Sequence, residues 1–405
     1  MVKRIVVVGS GGREHALAAV LSRTAEAVMV VPGNPGIPGS VDTPPTEIDA
    51  DLYVIGPEAP LVDGLADELR AMGKLVFGPG SDGAQLEGSK AWMKELLVAA
   101  DVPTAAHGCF TDADEALAFL DTMHDLFVIK TDGLAAGKGV LVTEDRAEAE
   151  AAVKDYLSGA AFGAAGSTIV IEEGLTGPEV SVLAICDGTR AVALAPAQDF
   201  KRALDDDNGP NTGGMGAYTP LSFAGADVVD QVMELAVGPT LAELRRRGID
   251  YRGVLYAGLM LTPTGMKVLE YNVRFGDPET QVVLPRMESD LVELLAGAAA
   301  GSLGGDPVFS RDAVVTVVCS SEGYPAAPRT GDVILGIDDA RSLEGVSVYC
   351  AGVASNESGE LITAGGRVLN VVGRGRDHAT ARARAYAGVD KISWPGMHYR
   401  KDIAL

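Results

Sequence analysis

The sequence predicts an α/β fold of several domains, and two features of its 405 residues carry that prediction. Apolar, strand-like runs alternate with helix-like segments through most of the chain, beginning with RIVVVG at 4–9 and the helical EHALAAVLSR after it. About the last hundred residues change character, since AVVTVVCSS, VSVYCAGV and LITAGGRVLNVVG predict a mostly β domain with one helix, ATARARAYAGVDKI. A chain of this length has room for about two to four domains.

Composition and charge exclude several classes of protein. The net charge of −23 argues against nucleic acid as a partner but leaves room for small phosphorylated substrates in a local basic pocket. The N-terminal VKRIVVVGSGG lacks the pattern of a signal peptide, and no apolar run reaches membrane-spanning length. We therefore expect a cytoplasmic protein with no membrane partner. The cysteines form no C-x-x-C pair, which argues against a zinc site and a disulfide scaffold: Cys109, Cys186, Cys319, Cys350.

Glycines stand at the first predicted strand-to-helix turn, in GSGGREHAL at 9–17. Backbone N–H groups at such a helix N-terminus can hold a phosphate or a carboxylate, so Gly11, Gly12 and Arg13 are candidates for binding an anion. A dinucleotide site would need an acidic residue at the end of the second strand, where VMVVPGN has Pro and Gly instead. A tight turn without a ligand is the third interpretation. His15 either assists a phosphate or packs on the helix face.

A glycine-rich hairpin is predicted at VIKTDGLAAGKGV, residues 128–140. Lys130 lies inside an apolar strand, where a lysine is costly unless it faces an anion or pairs with an acid. Lys138 follows in a Gly-x-Gly turn. The pattern is not a Walker P-loop, which needs Ser or Thr after the lysine, and the H-R-D and D-F-G motifs of protein kinases are missing. We expect a hairpin that covers phosphates, and a hairpin without a ligand is the alternative.

Acidic residues follow several predicted strands. Glu58, in GPEAPLVDG, comes after a strand of the probable parallel sheet, where ligands bind beyond the strands' carboxyl ends. Glu172, Glu173 and Glu179, in IEEGLTGPEVSV, stand where one strand ends and the next begins. Backbone groups there could bind an adenine edge, and an acid could hold ribose hydroxyls. A helix cap or loop acid for Glu58 and an ordinary acidic turn for the others are the alternatives.

The segment AQDFKRALDDDNGPNTGGMGAY, residues 197–218, is long, polar and rich in glycine. Loops of this length in a compact domain are usually functional or disordered. Its charged residues and its glycine-rich ending suggest a loop that closes over a substrate, with these candidates: Asp199, Lys201, Gly213, Gly214.

The run VLEYNVRFGDPETQ, residues 268–281, carries a pattern of metal-binding and phosphate-binding groups. It ends the second strand of a hairpin predicted across Thr262–Gly265. Glu270 and Asn272 lie at i and i+2 of that strand and so share a face. Mg²⁺ takes carboxylate and amide oxygens together with phosphate oxygens, and Arg274, next on the face, suits a phosphoryl group or an oxyanion. A structural salt-bridge cluster is the alternative.

These motifs, in this order, resemble the phosphoribosylamine–glycine ligase family of the ATP-grasp superfamily. The resemblance covers almost the whole chain, and several motifs are long and specific: GGREHAL, GPEAPL, GSKAWMK, KTDGLAAGKGV, GPNTGGMGAY, YRGVLYAGLM, LEYNVRFGDPETQ, TAGGRVL. It implies ATP-dependent ligation of glycine to 5-phosphoribosylamine through glycyl phosphate, in purine biosynthesis. It also implies Mg²⁺ or Mn²⁺ as cofactor, small-molecule partners and a monomer or small homo-oligomer.

The resemblance further implies an N-terminal Rossmann-like, pre-ATP-grasp parallel sheet at 1–84, an ATP-grasp domain at 85–302 with a lid at about 104–170, and a mostly β domain at 303–405. It assigns catalysis to Arg274, Lys138 and Asp277, and metal binding to Glu270 and Asn272. ATP binding is assigned to seven residues: Lys90, Lys130, Lys138, Glu172, Glu173, Leu175, Glu179. Substrate binding is assigned to ten: Gly11, Gly12, Arg13, Glu58, Asp199, Lys201, Gly213, Gly214, Arg274, Asp277.

The chain departs from the family pattern at two places. Residues 35–50 are short and rich in proline, so we expect an N-terminal sheet that is trimmed or poorly covered on one face. Phe200 stands where the family pattern near QDHKR has His, so any role of that histidine would be vacant or moved. Another ATP-grasp carboxylate–amine ligase or a biotin-carboxylase-like enzyme is the alternative activity, and a non-catalytic nucleotide-binding protein is the third possibility.

Overall fold

The N-terminal part of the chain folds around a parallel sheet. The computed structural model describes residues 2–123, 125–134, 139–159 and 166–405. Apolar runs such as RIVVVG form buried strands, as expected where both faces of a sheet are covered. The sheet has the order β2-β1-β3-β4, with all pairs parallel: β1 Arg4–Gly9, β2 Ala27–Pro32, β3 Leu52–Ile55, β4 Val76–Phe77. Its helices are α1 Gly12–Leu21, α2 Glu58–Val62 and α3 Leu65–Ala71.

Two helices, α4 Ser81–Gly88 and α5 Lys90–Ala99, lead into a small α/β unit with its own hydrophobic core. Its antiparallel sheet has the order β5-β8-β6-β7. The hairpin predicted at 128–140 is present as the pair β6 and β7. The elements of this unit are β5 His107–Phe110, α6 Ala113–Leu120, β6 Phe127–Thr131, β7 Val140–Thr143, α7 Arg146–Leu157 and β8 Ile169–Glu173.

The central part is built on a second antiparallel sheet, of order β10-β9-β15-β16. The hairpin predicted across Thr262–Gly265 is confirmed as the pair β15 and β16. The strands that follow β8 in this part of the chain are β9 Glu179–Asp187, β10 Ala191–Ala193, β11 Gln198–Asp199, β12 Arg202–Leu204, β13 Asn208–Asn211, β14 Gly216–Thr219, β15 Arg252–Thr262 and β16 Gly265–Asn272. The helices are α8 Ala226–Val232, α9 Gly238–Arg246, α10 Thr280–Val283 and α11 Leu291–Ala299.

The last part of the chain is rich in antiparallel strands, as predicted, and its sheet has the order β11-β14-β17-β21-β18. It contains a short helix, α12, besides the predicted one, α13. The elements are β17 Ala313–Ser320, α12 Ile337–Arg341, β18 Val346–Cys350, β19 Val353–Ser355, β20 Leu361–Thr363, β21 Arg367–Gly375 and α13 His378–Val389.

Residues 197–218 were expected to form a loop, and this prediction is wrong for most of the segment. It forms four short strands: β11 and β14 pair with each other, and β12 pairs with β13. β14 also pairs with β17, with Gly216 opposite Val317. The partner strand lies about a hundred residues further along the chain, so the local polar pattern gave no sign of it.

The expectation that the N-terminal sheet is poorly covered is wrong for its central strand β1, whereas the edge strand β2, beside residues 35–50, is only partly buried. Ile5, Val6 and Val7 of β1 are completely buried. The short segment after β2 packs on the C-terminal part, where the Asn34 side chain donates to the Ala351 carbonyl at 3.0 Å. The multidomain α/β fold class, with its parallel N-terminal sheet, is confirmed, whereas the exact domain boundaries stay predictions. Within the described residues, no helix combines the length and the apolar character needed to span a bilayer.

Candidate active site

A cavity of about 950 Å³ lies where the parts of the fold meet. The N-terminal sheet region contributes Arg13 and Glu58, and the small α/β unit contributes Lys130. The central sheet contributes Glu270, and the C-terminal sheet contributes Arg367. Charged side chains therefore converge on one cavity from distant parts of the sequence, an arrangement that is typical of a ligand site.

The carboxyl end of β16 presents the predicted carboxylate and amide to this cavity. Glu270 and Asn272 both line it, as the strand period requires. The Glu270 carboxylate has no hydrogen-bond or ion-pair partner within the described part of the chain. Burial by itself would raise the pKa of Glu270, but Lys201 and Lys130 hold that pKa below its usual value. An ionised carboxylate thus faces the cavity.

Arg274 lies between two carboxylates at the cavity wall. Its Nη2 donates to Glu87 Oε1 at 2.7 Å, and its Nε donates to Glu58 Oε2 at 3.3 Å. Nη2 also lies 3.3 Å from Asn272 Oδ1. Burial would lower the pKa of Arg274, yet the two acids raise it well above the usual range, so its positive charge is permanent.

A buried group of two lysines and one glutamate supports the inner side of the cavity. Lys130 Nζ lies 2.8 Å from Glu172 Oε1, and Lys94 Nζ lies 3.0 Å from Glu172 Oε2. Lys94 is completely buried and also donates to Thr104 Oγ1 at 2.7 Å. Burial would raise the pKa of Glu172, but the two ammonium groups lower it. Lys130 lines the cavity and Lys94 lies behind it, so only Lys130 is placed to meet a ligand.

Further charged residues line the cavity beside β9 and β11. Lys201 Nζ forms an ion pair with Glu179 Oε2 at 2.5 Å, and Glu173 forms one with Lys267 at 2.6 Å. Burial raises the pKa of Asp199 above its usual value, although Lys201 opposes this effect.

The donor set at β16 fits a hard divalent cation. Glu270 offers an unpartnered carboxylate at the cavity, and Asn272 offers an amide oxygen beside it. Within the described ranges, no group of three or more His, Cys, Asp or Glu side chains has the arrangement of a metal site. A cation held here would therefore take its remaining ligands from phosphate oxygens or water, as Mg²⁺ commonly does.

Three domain models of one family match consecutive parts of the chain. The N, ATP-grasp (A) and C domains of phosphoribosylglycinamide synthetase match residues 3–87, 88–280 and 314–405. The chain belongs to the phosphoribosylglycinamide synthetase family. This membership confirms the resemblance drawn from the motifs and the ATP-grasp architecture of the central part.

Individual members of the family cover nearly the whole chain. Phosphoribosylamine–glycine ligase of Caulobacter vibrioides is 47% identical, covering 98% of this chain and 97% of that protein. The enzyme of the same name from Leifsonia xyli subsp. xyli is 46% identical, covering 99% of each chain. The crystal structure of phosphoribosylamine–glycine ligase from Thermotoga maritima has a TM-score of 0.88 and 33% identity, covering 98% of this chain and 99% of that one.

A more distant structural neighbour shares the fold alone. The biotin carboxylase domain of Hydrogenobacter thermophilus 2-oxoglutarate carboxylase has a TM-score of 0.74 at 15% identity, covering 98% of this chain and 92% of that one. That structure is a complex with magnesium ADP, ADP and bicarbonate. At 15% identity, this similarity shows a common fold and gives no information about the reaction of the protein.

Most residues assigned from the resemblance lie together at the cavity. Those that line it are Arg13, Glu58, Lys90, Lys130, Glu172, Glu173, Leu175, Glu179, Asp199, Lys201, Gly213, Glu270, Asn272, Arg274 and Asp277. Gly11, Gly12 and Gly214 do not line it. Lys138 lies outside the described residues. The roles of all these residues stay predictions.

The sequence left the surroundings of His15 and Phe200 undecided, and the structure describes both. His15 is buried, and its Nδ1 accepts the Cys350 N–H at 2.8 Å, so it packs in the interior and does not face the cavity. The Phe200 ring lies 6.1 Å from the Tyr218 ring, with the Arg400 guanidinium 5.0 Å from its centre. Phe200 thus belongs to the hydrophobic cluster of the C-terminal sheet.

Sequence reasoning missed several side chains that complete the site: Glu87, Lys94, Tyr256, Glu279, Arg367. Glu87 lies near the end of a helix in QLEG, where an acid is usually solvated, and the local sequence does not show that Lys94 is buried. Glu279 accepts a hydrogen bond from the Tyr256 hydroxyl at 2.6 Å. Four of the five lie in motifs that carry the resemblance, so the signal for them was present in the sequence: Lys94 in GSKAWMK, Tyr256 in YRGVLYAGLM, Glu279 in LEYNVRFGDPETQ and Arg367 in TAGGRVL.

Proposed function

We propose that this protein uses ATP to ligate glycine to 5-phosphoribosylamine, giving glycinamide ribonucleotide, ADP and phosphate in purine biosynthesis. Family membership and the names of relatives that cover nearly the whole chain support this proposal. The observation that carries the chemistry is the placement of Glu270, Asn272 and Arg274 on one cavity wall, beside Lys130. An ionised carboxylate, an amide oxygen and two cations are the groups that a triphosphate and a carboxylate substrate require.

The proposed reaction has two steps. A carboxylate oxygen of glycine attacks the γ-phosphorus of ATP, the bond to the bridging oxygen breaks, and ADP leaves. The amino group of 5-phosphoribosylamine then attacks the carbonyl carbon of glycyl phosphate, loses a proton and expels phosphate. Phosphoryl transfer depends mainly on positioning and on neutralising charge, so the protein needs no nucleophile of its own.

The charged residues of the cavity have distinct roles in this scheme. Lys90 and Lys130, with Lys138, neutralise the triphosphate of ATP. Arg274 holds the transferring phosphoryl group or the carboxylate that attacks it, because its planar fork suits an oxyanion. Glu172 supports Lys130 through the ion pair at 2.8 Å. The segment from Glu173 through Leu175 to Glu179 accommodates the adenine and ribose.

Other residues are proposed to hold glycine and the acceptor. Asp199, Lys201 and Gly213 line the cavity on the side of β11 and the glycine-rich turn. Asp277 and Glu58 line it near the N-terminal sheet, where the acceptor amine would enter. Gly11, Gly12 and Gly214, which do not line the cavity, complete the set of residues proposed to bind substrate.

Glu270 and Asn272 would hold Mg²⁺ or Mn²⁺. The cation would supply charge neutralisation for the ATP phosphates and the phosphoryl group in transfer. The Glu270 carboxylate suits this role because Lys201 and Lys130 keep its pKa low in spite of burial. It therefore carries a negative charge at neutral pH without the help of a metal.

Water must be kept from the acyl phosphate, which hydrolyses readily. The small α/β unit that carries Lys130 is the proposed lid, because it has a hydrophobic core of its own and forms one wall of the cavity. The substrates are small molecules, and we propose a monomer or small homo-oligomer. Cytoplasmic location is part of the proposal, since Cys109, Cys186, Cys319 and Cys350 are all free thiols.

The test is a reconstituted assay with the purified protein. ADP and glycinamide ribonucleotide should form together, in equal amounts, only when ATP, glycine and freshly made 5-phosphoribosylamine are all present. Omitting each substrate in turn is the control. Brisk turnover with another amine acceptor in place of phosphoribosylamine would overturn the assignment. ATP binding without turnover of any acceptor would support the non-catalytic alternative instead.

A further inference from the structure

Asp132 directly follows β6, the strand that carries Lys130. It does not line the cavity, and its carboxylate reaches the N-terminus of α5, the helix that begins at Lys90. Asp132 Oδ1 accepts the Ala91 N–H at 2.7 Å, and the Ser89 hydroxyl lies 3.1 Å from both carboxylate oxygens. One side chain therefore joins the small α/β unit to α5.

Asp132 completes the N-terminal cap of α5. The first N–H groups of a helix lack a partner inside the helix and must find one elsewhere. In α5, the Lys90 N–H donates to the Asp132 carbonyl at 3.3 Å, and the Trp92 N–H donates to Ser89 Oγ at 3.1 Å. The Asp132 carboxylate takes the N–H of Ala91 between them. The protein thus engages all three N–H groups itself, although the helix begins beside the cavity.

Lys90 is held by the same segment, from its backbone to its ammonium group. Its Nζ donates to the Gly133 carbonyl at 3.0 Å and lies 3.5 Å from the Asp132 carbonyl. Lys90 lines the cavity, and within the described part of the chain it forms no ion pair. Burial lowers the pKa of Lys90, Glu270 opposes this effect, and the charge of Lys130 lowers the pKa further. The two ammonium groups therefore repel each other, and the protein must hold them in place.

The two cavity lysines are supported in different ways. Lys130 pairs directly with Glu172 at 2.8 Å. Lys90 has two neutral carbonyls as partners, while the carboxylate of Asp132 is engaged by the backbone of α5. Asp132 is itself anchored in the small α/β unit, because its N–H donates to the Thr168 carbonyl at 3.0 Å. Its position therefore determines where Lys90 lies relative to Lys130, two residues before Asp132 in the chain.

We propose that Asp132 is a positioning residue for nucleotide binding: by capping α5 it holds Lys90 beside Lys130, so that both ammonium groups meet the phosphates of one nucleotide. The inference rests on the part of the proposed function that assigns these lysines to ATP. It goes further, because Asp132 does not line the cavity and acts through Lys90. The negative charge of a diphosphate or triphosphate offsets the repulsion between the two ammonium groups.

The probe is ADP with Mg²⁺, titrated calorimetrically into the full-length protein. Asp132→Ala removes the cap and should weaken ADP binding about tenfold or more. It should also raise KM for ATP and leave KM for glycine unchanged. Asp132→Asn keeps an acceptor oxygen for the Ala91 N–H and should retain most of the affinity. Asp132→Glu keeps the charge but displaces the carboxylate by one methylene group, so it should bind ADP less well than Asp132→Asn.

A double variant and a matched control separate positioning from general stability. Lys90→Met should weaken ADP binding, and adding Asp132→Ala to it should cause no further loss, because both changes act through one contact. Asp112→Ala is the matched control, since the Asp112 side chain caps α6 of the same unit, accepts the Asp114 N–H at 2.9 Å and does not line the cavity. It should lower the unfolding temperature and leave ADP binding as in wild type.

Three results would each overturn the positioning role. The first is ADP binding by Asp132→Ala equal to that of wild type, or a loss just as large in Asp112→Ala. The second is ADP binding by Asp132→Glu as good as, or better than, that by Asp132→Asn, a comparison that decides even if Asp132→Ala does not fold. The third is a pair of losses, from Lys90→Met and Asp132→Ala, that multiply in the double variant.

The inference and the proposed function can fail separately, because ADP binding does not require ligation. Ligation of glycine by a protein whose ADP binding does not depend on Asp132 refutes the inference alone. ADP binding that depends on Asp132, in a protein that does not ligate glycine, refutes the proposed function alone.

Discussion

Glu87 and Arg274 form a partly buried ion pair, with Arg274 Nη2 2.7 Å from Glu87 Oε1. The second oxygen of Glu87 accepts the backbone N–H of Val273 at 2.8 Å. One carboxylate therefore fixes both the guanidinium and the chain that carries it. Glu87 forms a wall of the cavity, but both of its oxygens are engaged by the protein, so we infer that it acts through Arg274 as a positioning residue.

The first prediction concerns this pair. Glu87→Gln keeps the shape but replaces one acceptor oxygen with a donor, so either Val273 or Arg274 loses its partner. A buried donor without an acceptor costs about 1–3 kcal/mol, and 1.4 kcal/mol corresponds to about tenfold in rate. We expect kcat to fall about tenfold or more, with KM for ATP nearly unchanged. Steady-state kinetics beside thermal unfolding measure both effects.

Glu293→Gln, on the exposed face of α11, is the matched control for Glu87→Gln. It should leave kinetics and unfolding as in wild type. A Glu87→Gln variant that loses thermal stability but keeps full kcat at low temperature would contradict the positioning role and make Glu87 purely structural.

The second prediction separates the two lysines that share Glu172. Lys94 is completely buried behind the cavity, whereas Lys130 lines it. Removing one partner from a buried ion pair costs about 3–5 kcal/mol of stability. Lys94→Met should therefore lower the unfolding temperature strongly and change KM for ATP little. Lys130→Met should raise KM for ATP about tenfold or more, because a cation near the phosphates is lost.

Denaturant unfolding and ATP titration of both variants check this contrast. Lys154→Met, on α7 of the same unit, is a control for a lysine whose side chain lies away from the cavity lining. If Lys130→Met leaves ATP affinity unchanged, the lid does not hold the triphosphate.

The local part of the site could be predicted from the sequence, and the long-range part could not. Glu270 and Asn272 are two residues apart on one strand, so the strand period alone places them on one face. Glu87 and Arg274 are 187 residues apart, and Lys94 and Glu172 are 78 apart. Nothing in the residues around Glu87 or Lys94 indicates which buried charge each one meets.

The strands β11 and β14 illustrate the same limit for the fold. The polar, glycine-rich segment that contains them has the composition of a loop. β14 becomes a strand by pairing with the edge of β17, and β11 becomes one by pairing with β14. The family resemblance identified the motifs of the site. The contact between Arg367 and Asp277 depends on where the C-terminal sheet packs, which the sequence of neither motif indicates.

The third prediction concerns pH and His15. Burial, aided by Arg341, lowers the pKa of His15 from 6.5 to about 4. Above pH 6.5 the ring is neutral in both states, and its Nδ1 accepts the Cys350 N–H at 2.8 Å. As pH falls from 6.5 to 4, the unfolded chain takes up a proton that the folded protein excludes, so stability falls. A shift of this size corresponds to a loss on the order of 3 kcal/mol.

His15→Asn tests this acid sensitivity, because an amide oxygen can replace Nδ1 as acceptor and does not titrate. Chemical denaturation of both proteins between pH 4 and pH 7 should show a smaller loss of stability for the variant at the acid end. Parallel losses in the two proteins would mean that His15 is not the source.

The last prediction concerns the metal. Glu270→Gln keeps the size of the side chain but removes a negative charge from a place that must attract a divalent cation beside a polyanion. Asn272→Leu removes an oxygen ligand altogether. Both variants should lower kcat by about 10²-fold, which corresponds to about 2.7 kcal/mol, with little change in unfolding temperature. Raised Mg²⁺ should partly rescue Glu270→Gln if the loss is one of metal affinity.

Arg274→Lys belongs to the same experiment and should lose activity that added Mg²⁺ does not restore, because an ammonium group cannot make the two-pronged contact to an oxyanion. The measurement is the steady-state rate against Mg²⁺ concentration, with thermal unfolding alongside. Glu234→Gln, an exposed acid far along the chain from β16, controls for a general effect of charge. Near-wild-type rates for Glu270→Gln and Asn272→Leu at limiting Mg²⁺ would show that the metal binds elsewhere, and Glu270 would then be free to hold an amine or a hydroxyl.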